Sequence, residues 1–166
     1  MGYTTKATDA LEVGDLFVGH RDERGAFWIS RITEIQPHPY GARVDYEGID
    51  FINEAGRQMH GEDGGLYVGD PYCDATGLCE IVDFPGLAVV IEVVDAKTGK
   101  MTHTRQRKNV KTHRPGCRHL GKPGRVRELP ERFDPWNKCA VPAEIEIRAH
   151  WPSLGPITCK ACAGAK

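Results

Sequence analysis

Cys159 and Cys162 lie two residues apart in Thr158-Cys159-Lys160-Ala161-Cys162, the most chemically specific stretch of the chain. A C-x2-C loop is tight enough to turn both sulfurs toward one point, which suits a metal ion or a redox pair. A thioredoxin-type pair opens a helix, and the four residues after Cys162 are too few to build one. The expectation is therefore metal. Zinc takes four soft or borderline ligands at tetrahedral corners, so a second ligand pair is needed. The run from His113 to His119 offers one, with two histidines and Cys117 within seven residues and a Pro115-Gly116 turn before the cysteine. The expected set is Cys117, His119, Cys159 and Cys162 around a structural Zn2+. Cys139 and His113 are the alternates for the fourth corner.

The remaining cysteines, Cys73 and Cys79, are spaced C-x5-C, which is loose for a ligand loop. They read as small buried hydrophobes rather than as half of a second site completed by His60 or Cys139. Six cysteines without an export signal argue for metal chemistry over a disulfide framework. A cytoplasmic protein with no membrane span is expected, since the longest apolar run, Leu87-Ala-Val-Val-Ile91, is only strand-sized. Asp63, Asp70 and Asp74 lack the alternate-residue spacing of a calcium loop.

A net charge of −1 conceals a segregation. Residues 1–96 carry 6 Lys/Arg against 18 Asp/Glu, whereas residues 97–132 carry 12 against 2. In a strand from Met101, alternation puts His103, Arg105 and Arg107 on one face, and Lys108, Lys111, Arg114 and Arg118 follow. Such a rim suits a phosphate backbone, so nucleic acid or a ribonucleoprotein is the expected partner. The alternative is a protein-binding accessory factor or inhibitor that presents Asp63, Asp70 and Asp74 to a basic partner. A third possibility is that the two halves neutralise one another.

The elements that must position these groups read as strands. Leu16-Phe-Val18, Ala26–Ile35, Ala42–Tyr46, Leu87–Val94 and Met101–Arg107 are short, β-branched or aromatic, and separated by Gly, Pro and Asp turns. Residues 1–10 read as a polar tether, and 54–85, acidic and Gly-rich, as an irregular insertion. Pro37 should end the second strand. Beyond Lys108, prolines exclude a long helix. Leu129–Phe133 could make one helical turn, and Ala143–Ala149 alternates as a strand with Ile145 and Ile147 inward and Glu144, Glu146 and Arg148 outward.

The Val-Gly-Asp lead-in at 13–15, the Phe-Trp-Ile strand at 27–29 and five short antiparallel strands resemble an SH3-like or Tudor-like small barrel over 11–110. That resemblance implies a mostly-β, non-catalytic binding module, here with a zinc-stapled, loop-rich extension at 111–166. No phosphate loop, dinucleotide fingerprint or nucleophile elbow occurs. An HNH-type nuclease would need a His-bearing strand and a helix downstream of its Cys pair, so it is the least favoured reading. Small size without catalytic motifs also suits a virus-encoded or mobile-element accessory protein.

Overall fold

The computed structural model of the protein describes residues 2–19, 22–39, 41–68, 78–105 and 110–163. These residues are mostly β. The strands are β1 (Gly2–Ala7), β2 (Leu16–Val18), β3 (Ile29–His38), β4 (Gly41–Gly48), β5 (Phe51–Ile52), β6 (Gln58–Met59), β7 (Gly64–Val68) and β8 (Leu78–Asp83). They continue as β9 (Gly86–Asp95), β10 (Met101–Arg105), β11 (Thr112–His113), β12 (Gly124–Leu129), β13 (Arg132–Asp134), β14 (Cys139–Val141) and β15 (Glu144–Ser153). The single α-helix among the described residues is α1 (Lys160–Ala163), and no described helix is long and apolar enough to cross a membrane.

The first sheet runs β1-β8-β2-β3-β4-β7, antiparallel throughout. It curls around Phe17, Ile32, Val44 and Val68. Adjacent strand residues point to opposite faces, so Phe17 enters that core while Val18 enters another with Ile29 and Val82. Phe51 and Leu154 reach this second core from the other sheet and join the two. Gly48 and Gly61 permit the junction: a Cβ on Gly48 would stand 2.2 Å from the Glu62 nitrogen, so only bare backbone fits.

The second sheet runs β10-β9-β15-β5-β6, with β11 on β9 and β12 on β15. Its spine is the antiparallel pairing of β9 with β15, from Gly86 opposite Ser153 to Asp95 opposite Glu144. One face contributes Ala88, Val90 and Trp151 to a core with Ile52. The other face carries His150, Arg148 and Glu146 across from Val89, Ile91 and Val93.

Several expectations are revised. The strands expected for one barrel divide between the sheets, with β2, β3 and β4 in the first and β9 and β10 in the second. Residues 2–7 are an edge strand paired along β8, and their polarity is that of an edge facing solvent. The 54–85 stretch contains β6, β7 and β8. Its glycines are structural, because a Cβ on Gly64 would stand 2.7 Å from the Tyr46 hydroxyl and one on Gly65 2.8 Å from Asp45 Oδ1. Those neighbours occupy the space over its first two residues, while Leu66 and Val68 reach the first core. Pro37 lies inside β3, opposite Ala42 near the hairpin end. No helical turn forms at 129–133, where β12 ends and β13 begins.

The face assignment in β15 is also reversed. Glu144 and Glu146 are buried, 7% and 2% exposed, while Ile145 and Ile147 are only half-buried. Strands lie along both edges of β15, and from one of them, β12, Arg127 grips Glu146 through two hydrogen bonds of 2.8 and 3.1 Å. Arg105 adds a third at 3.4 Å. Arg127, working against burial and helped by the Arg105 charge, holds the Glu146 carboxyl below its ordinary value of 4.5. A depressed carboxyl contributes stability fully present above that value and lost as pH falls through the folded value. Glu146→Gln should cost about 1.5–3 kcal/mol at pH 7, the range for hydrogen bonds to a charged group. Denaturant melts of both proteins should converge as pH drops below 4.5.

Candidate metal centre

The site is assembled at the Gly86–Ser153 end of the β9–β15 ladder. β11 pairs there, with Thr112 opposite Ala88 and His113 opposite Leu87. Gly86 is required under it, since a Cβ would stand 2.6 Å from both the His113 carbonyl oxygen and Thr112 Cγ2. The chain leaving β15 returns to the same place. Thr158 and Cys159 both donate backbone N–H bonds to the Thr112 carbonyl (3.0 and 3.2 Å), and Thr112 N–H bonds Thr158 Oγ1 at 3.0 Å. Thr112 Oγ1 and Ser153 Oγ, both buried, lie 2.7 Å apart. This clasp, buried at Thr112 and Ser153, docks the C-x2-C loop beside β11 by hydrogen bonds.

After His113 the chain turns through Pro115 and Gly116 (φ 80°), closed by the Cys117 N–H on the Arg114 carbonyl at 3.1 Å. Cys117 then leads into a single 3-10 turn at Arg118–Leu120. The other pair is closed by the Cys162 N–H on the Cys159 carbonyl at 3.2 Å, at the start of α1. These two turns bring His113, Cys117, Cys159 and Cys162 together, with their ligand atoms all within 4.8 Å of one another.

The geometry fits a tetrahedral metal. Zn–S bonds of about 2.3 Å place sulfurs roughly 3.8 Å apart, and Cys117 Sγ lies 3.9 Å from Cys159 Sγ. That distance is far too long for a disulfide, and both thiols are free. The backbone N–H of Arg114 points at Cys162 Sγ from 3.4 Å, as a thiolate ligand requires. His113 Nδ1 is buried with no hydrogen-bond partner among the described residues, a costly state that a metal bond would relieve.

Protonation is set by the same packing. Burial, then the nearby His119, Lys111 and His150, push His113 below its ordinary value, leaving a neutral imidazole able to ligate. The His119 backbone N–H pulls the Cys117 thiol down, but burial and the Cys162 and Cys159 thiols outweigh it and leave it raised. Burial raises the Cys159 thiol, yet the N–H groups of Cys162 and Ala161 and the two neighbouring sulfurs bring it below ordinary. Cys117 therefore holds its proton more firmly than an ordinary thiol, and a metal bound there would displace it.

The fourth corner is His113, one of the two alternates. His119 lies outside the group: it sits two residues after Cys117 in a 3-10 turn, where about 120° per residue points it elsewhere. Cys139 is exposed on the β13–β14 hairpin, opposite Asp134. The sequence signal for His113 is the H-x3-C spacing around a Pro-Gly turn.

The described residues of the expected nucleic-acid set come from β10, the residue before β11 and the turns after it. His103 is exposed on β10, Arg105 is bound to Glu146, and Arg114 lies in the ligand turn. Lys111 and Arg118 line a cavity of about 470 Å³ beside the metal group, which Arg148 also enters. Arg107 and Lys108 lie outside the described residues, as do Asp70, Asp74 and Cys73. Asp63 accepts the Gly48 N–H at 2.8 Å, a structural role beneath the sheet junction. Cys79 is half-buried in β8 against the first core.

His113→Ala should abolish stoichiometric metal binding, whereas His119→Ala should leave it intact. Metal analysis of the two purified variants checks this.

Comparison with family models, with curated proteins and with solved structures found no match to this chain.

Proposed function

We propose that the protein is a non-catalytic binding module stabilised by a structural zinc ion, and that it contacts nucleic acid through cations beside that ion. The carrying observation is the ligand set, three thiols and one imidazole on four converging residues. Thiolate-rich sets favour zinc over hard, oxygen-seeking cations. Four protein ligands fill a tetrahedron, so no position is left for water or substrate, which is the mark of a structural site. We read the curled first sheet as the SH3-like or Tudor-like element of the module, supported by its short antiparallel strands around Phe17 and Ile32.

Nucleic acid is favoured over a basic protein partner by the fate of the two charge sets. Asp63, though exposed, is committed to the Gly48 N–H, whereas Lys111 and Arg118 reach solvent without a carboxylate partner among the described residues. Exposed aromatics add stacking surface, with Trp136 93% and Phe133 64% exposed on the β13–β14 hairpin.

Elemental analysis should find one zinc per chain in the wild type and none in Cys159→Ser. Chelation should expose residues after Ser153 to proteases more than it melts the two sheets, because the β9–β15 pairing does not depend on the ion. A metal-free wild type with an equally protected C-terminal segment would overturn the structural role.

Binding to random oligonucleotides should weaken steeply with salt, with a slope of about −0.7 per neutralised phosphate on single strands. Absence of any salt-dependent binding would remove the nucleic-acid reading and leave the zinc site standing.

A further inference from the structure

The cavity beside the metal group has a lining that the zinc does not explain. Its volume, about 470 Å³, falls in the range of small-ligand sites. Lys111, Arg118 and Arg148 converge on it with His119, and no carboxylate contributes to the wall. Val89, Val110 and Leu120 contribute apolar lining to the same cavity. These charges come from three separate parts of the chain: the residue before β11, the 3-10 turn and the β15 strand. Only the tertiary fold brings them together.

Two details suggest that the cations are held for a ligand. Gly121 (φ 69°) leaves room for the Arg148 guanidinium, since a Cβ there would stand 3.1 Å from Arg148 Nη1. On the neighbouring strand position, His150 faces the same side of the sheet as Val89, and its Nε2 is buried without a hydrogen-bond partner among the described residues. A dication with three thiolates carries a net charge of about −1. Three permanent cations around it leave a positive surplus rather than a neutral cluster.

A simple carboxylate would use one of those cations and little of the volume. A phosphate carries two charges and three acceptor oxygens, which suits a lysine and two guanidiniums. The apolar lining then fits the sugar or base attached to it. We propose that this pocket binds the phosphate of a nucleotide, seating the group between Lys111, Arg118 and Arg148 with the nucleoside against Val110 and Leu120. The choice of a nucleotide rests on the nucleic-acid reading above. The phosphate may be carried by a strand end or by a free mononucleotide, and the two sources are separable.

The test uses the zinc-loaded full chain and fluorescent oligonucleotides bearing 5′-phosphate, 3′-phosphate or hydroxyl ends. A phosphorylated end should bind about tenfold tighter than a hydroxyl end, as expected for charge-assisted contacts. Pyrophosphate and nucleoside monophosphates should compete. Lys111→Gln with Arg118→Gln, both at exposed positions, should erase the preference while one zinc per chain is retained, which confirms folding. Arg148→Lys should weaken it without loss of zinc. If all ends bind alike and pyrophosphate does not compete, the pocket assignment is overturned, even where salt-dependent oligonucleotide binding upholds the broader reading. If monophosphates bind and are lost in the double variant while no oligonucleotide binds, the pocket holds a free nucleotide and the nucleic-acid reading falls.

Discussion

The pairing of β9 with β15 is the constraint from which the rest of the molecule follows. It joins residues 86–95 to residues 144–153 across ten opposed positions, closing a loop of some fifty residues. Each strand then offers a second edge. β10 and β11 share the free edge of β9, and β12 and β5 share that of β15. Because the ladder is antiparallel, the start of β9 and the end of β15 lie at the same end of the sheet. β11 pairs at that end and the C-x2-C loop emerges from it, so the two ligand pairs meet there.

The ladder also determines the electrostatics of the interior. Glu146 on β15 is buried, and a buried carboxylate must be paired. Arg127 from β12 and Arg105 from β10 reach it from opposite sides of the spine. Breaking such a pair leaves an uncompensated charge, which costs more than the pair itself contributes. One carboxylate thus ties three strands together and engages two cations that would otherwise be unpaired. The other cations on this face, with no carboxylate to meet, collect around the cavity beside the metal group.

Hydrogen bonds hold the chain after β15, and a metal at the His113 group would hold it in a complementary way. The Thr112 carbonyl and hydroxyl clasp Thr158, Cys159 and Ser153, which places the thiols but does not relieve the orphaned His113 nitrogen. An ion bound there would complete the histidine, gather the negative charge of the sulfurs and add its binding free energy to folding. A segment this short has almost no apolar surface of its own: besides Leu154 and the cysteines, little after β15 is buried. Coordination can supply what the hydrophobic effect cannot.

Much of this was legible in the residues. The C-x2-C pair, Cys117, the hairpin turn between β9 and β10, and the strand nature of 16–18, 87–94 and 144–149 follow from spacing and alternation, which are local properties. The identity of the fourth ligand was not local. His113 and His119 are equal candidates as types, and only the pairing of β11 against Gly86 and the pitch of the 3-10 turn decide between them. Nor could alternation tell which face of β15 is buried, because it marks two faces without saying which is covered. The strands at 2–7 and 64–68 were hidden for a related reason: their cover comes from neighbours, Tyr46 and Asp45 over bare glycines in the second case. Residue type determined which chemistry was available to this protein; strand neighbours, tens of residues away along the chain, decided which side chains perform it.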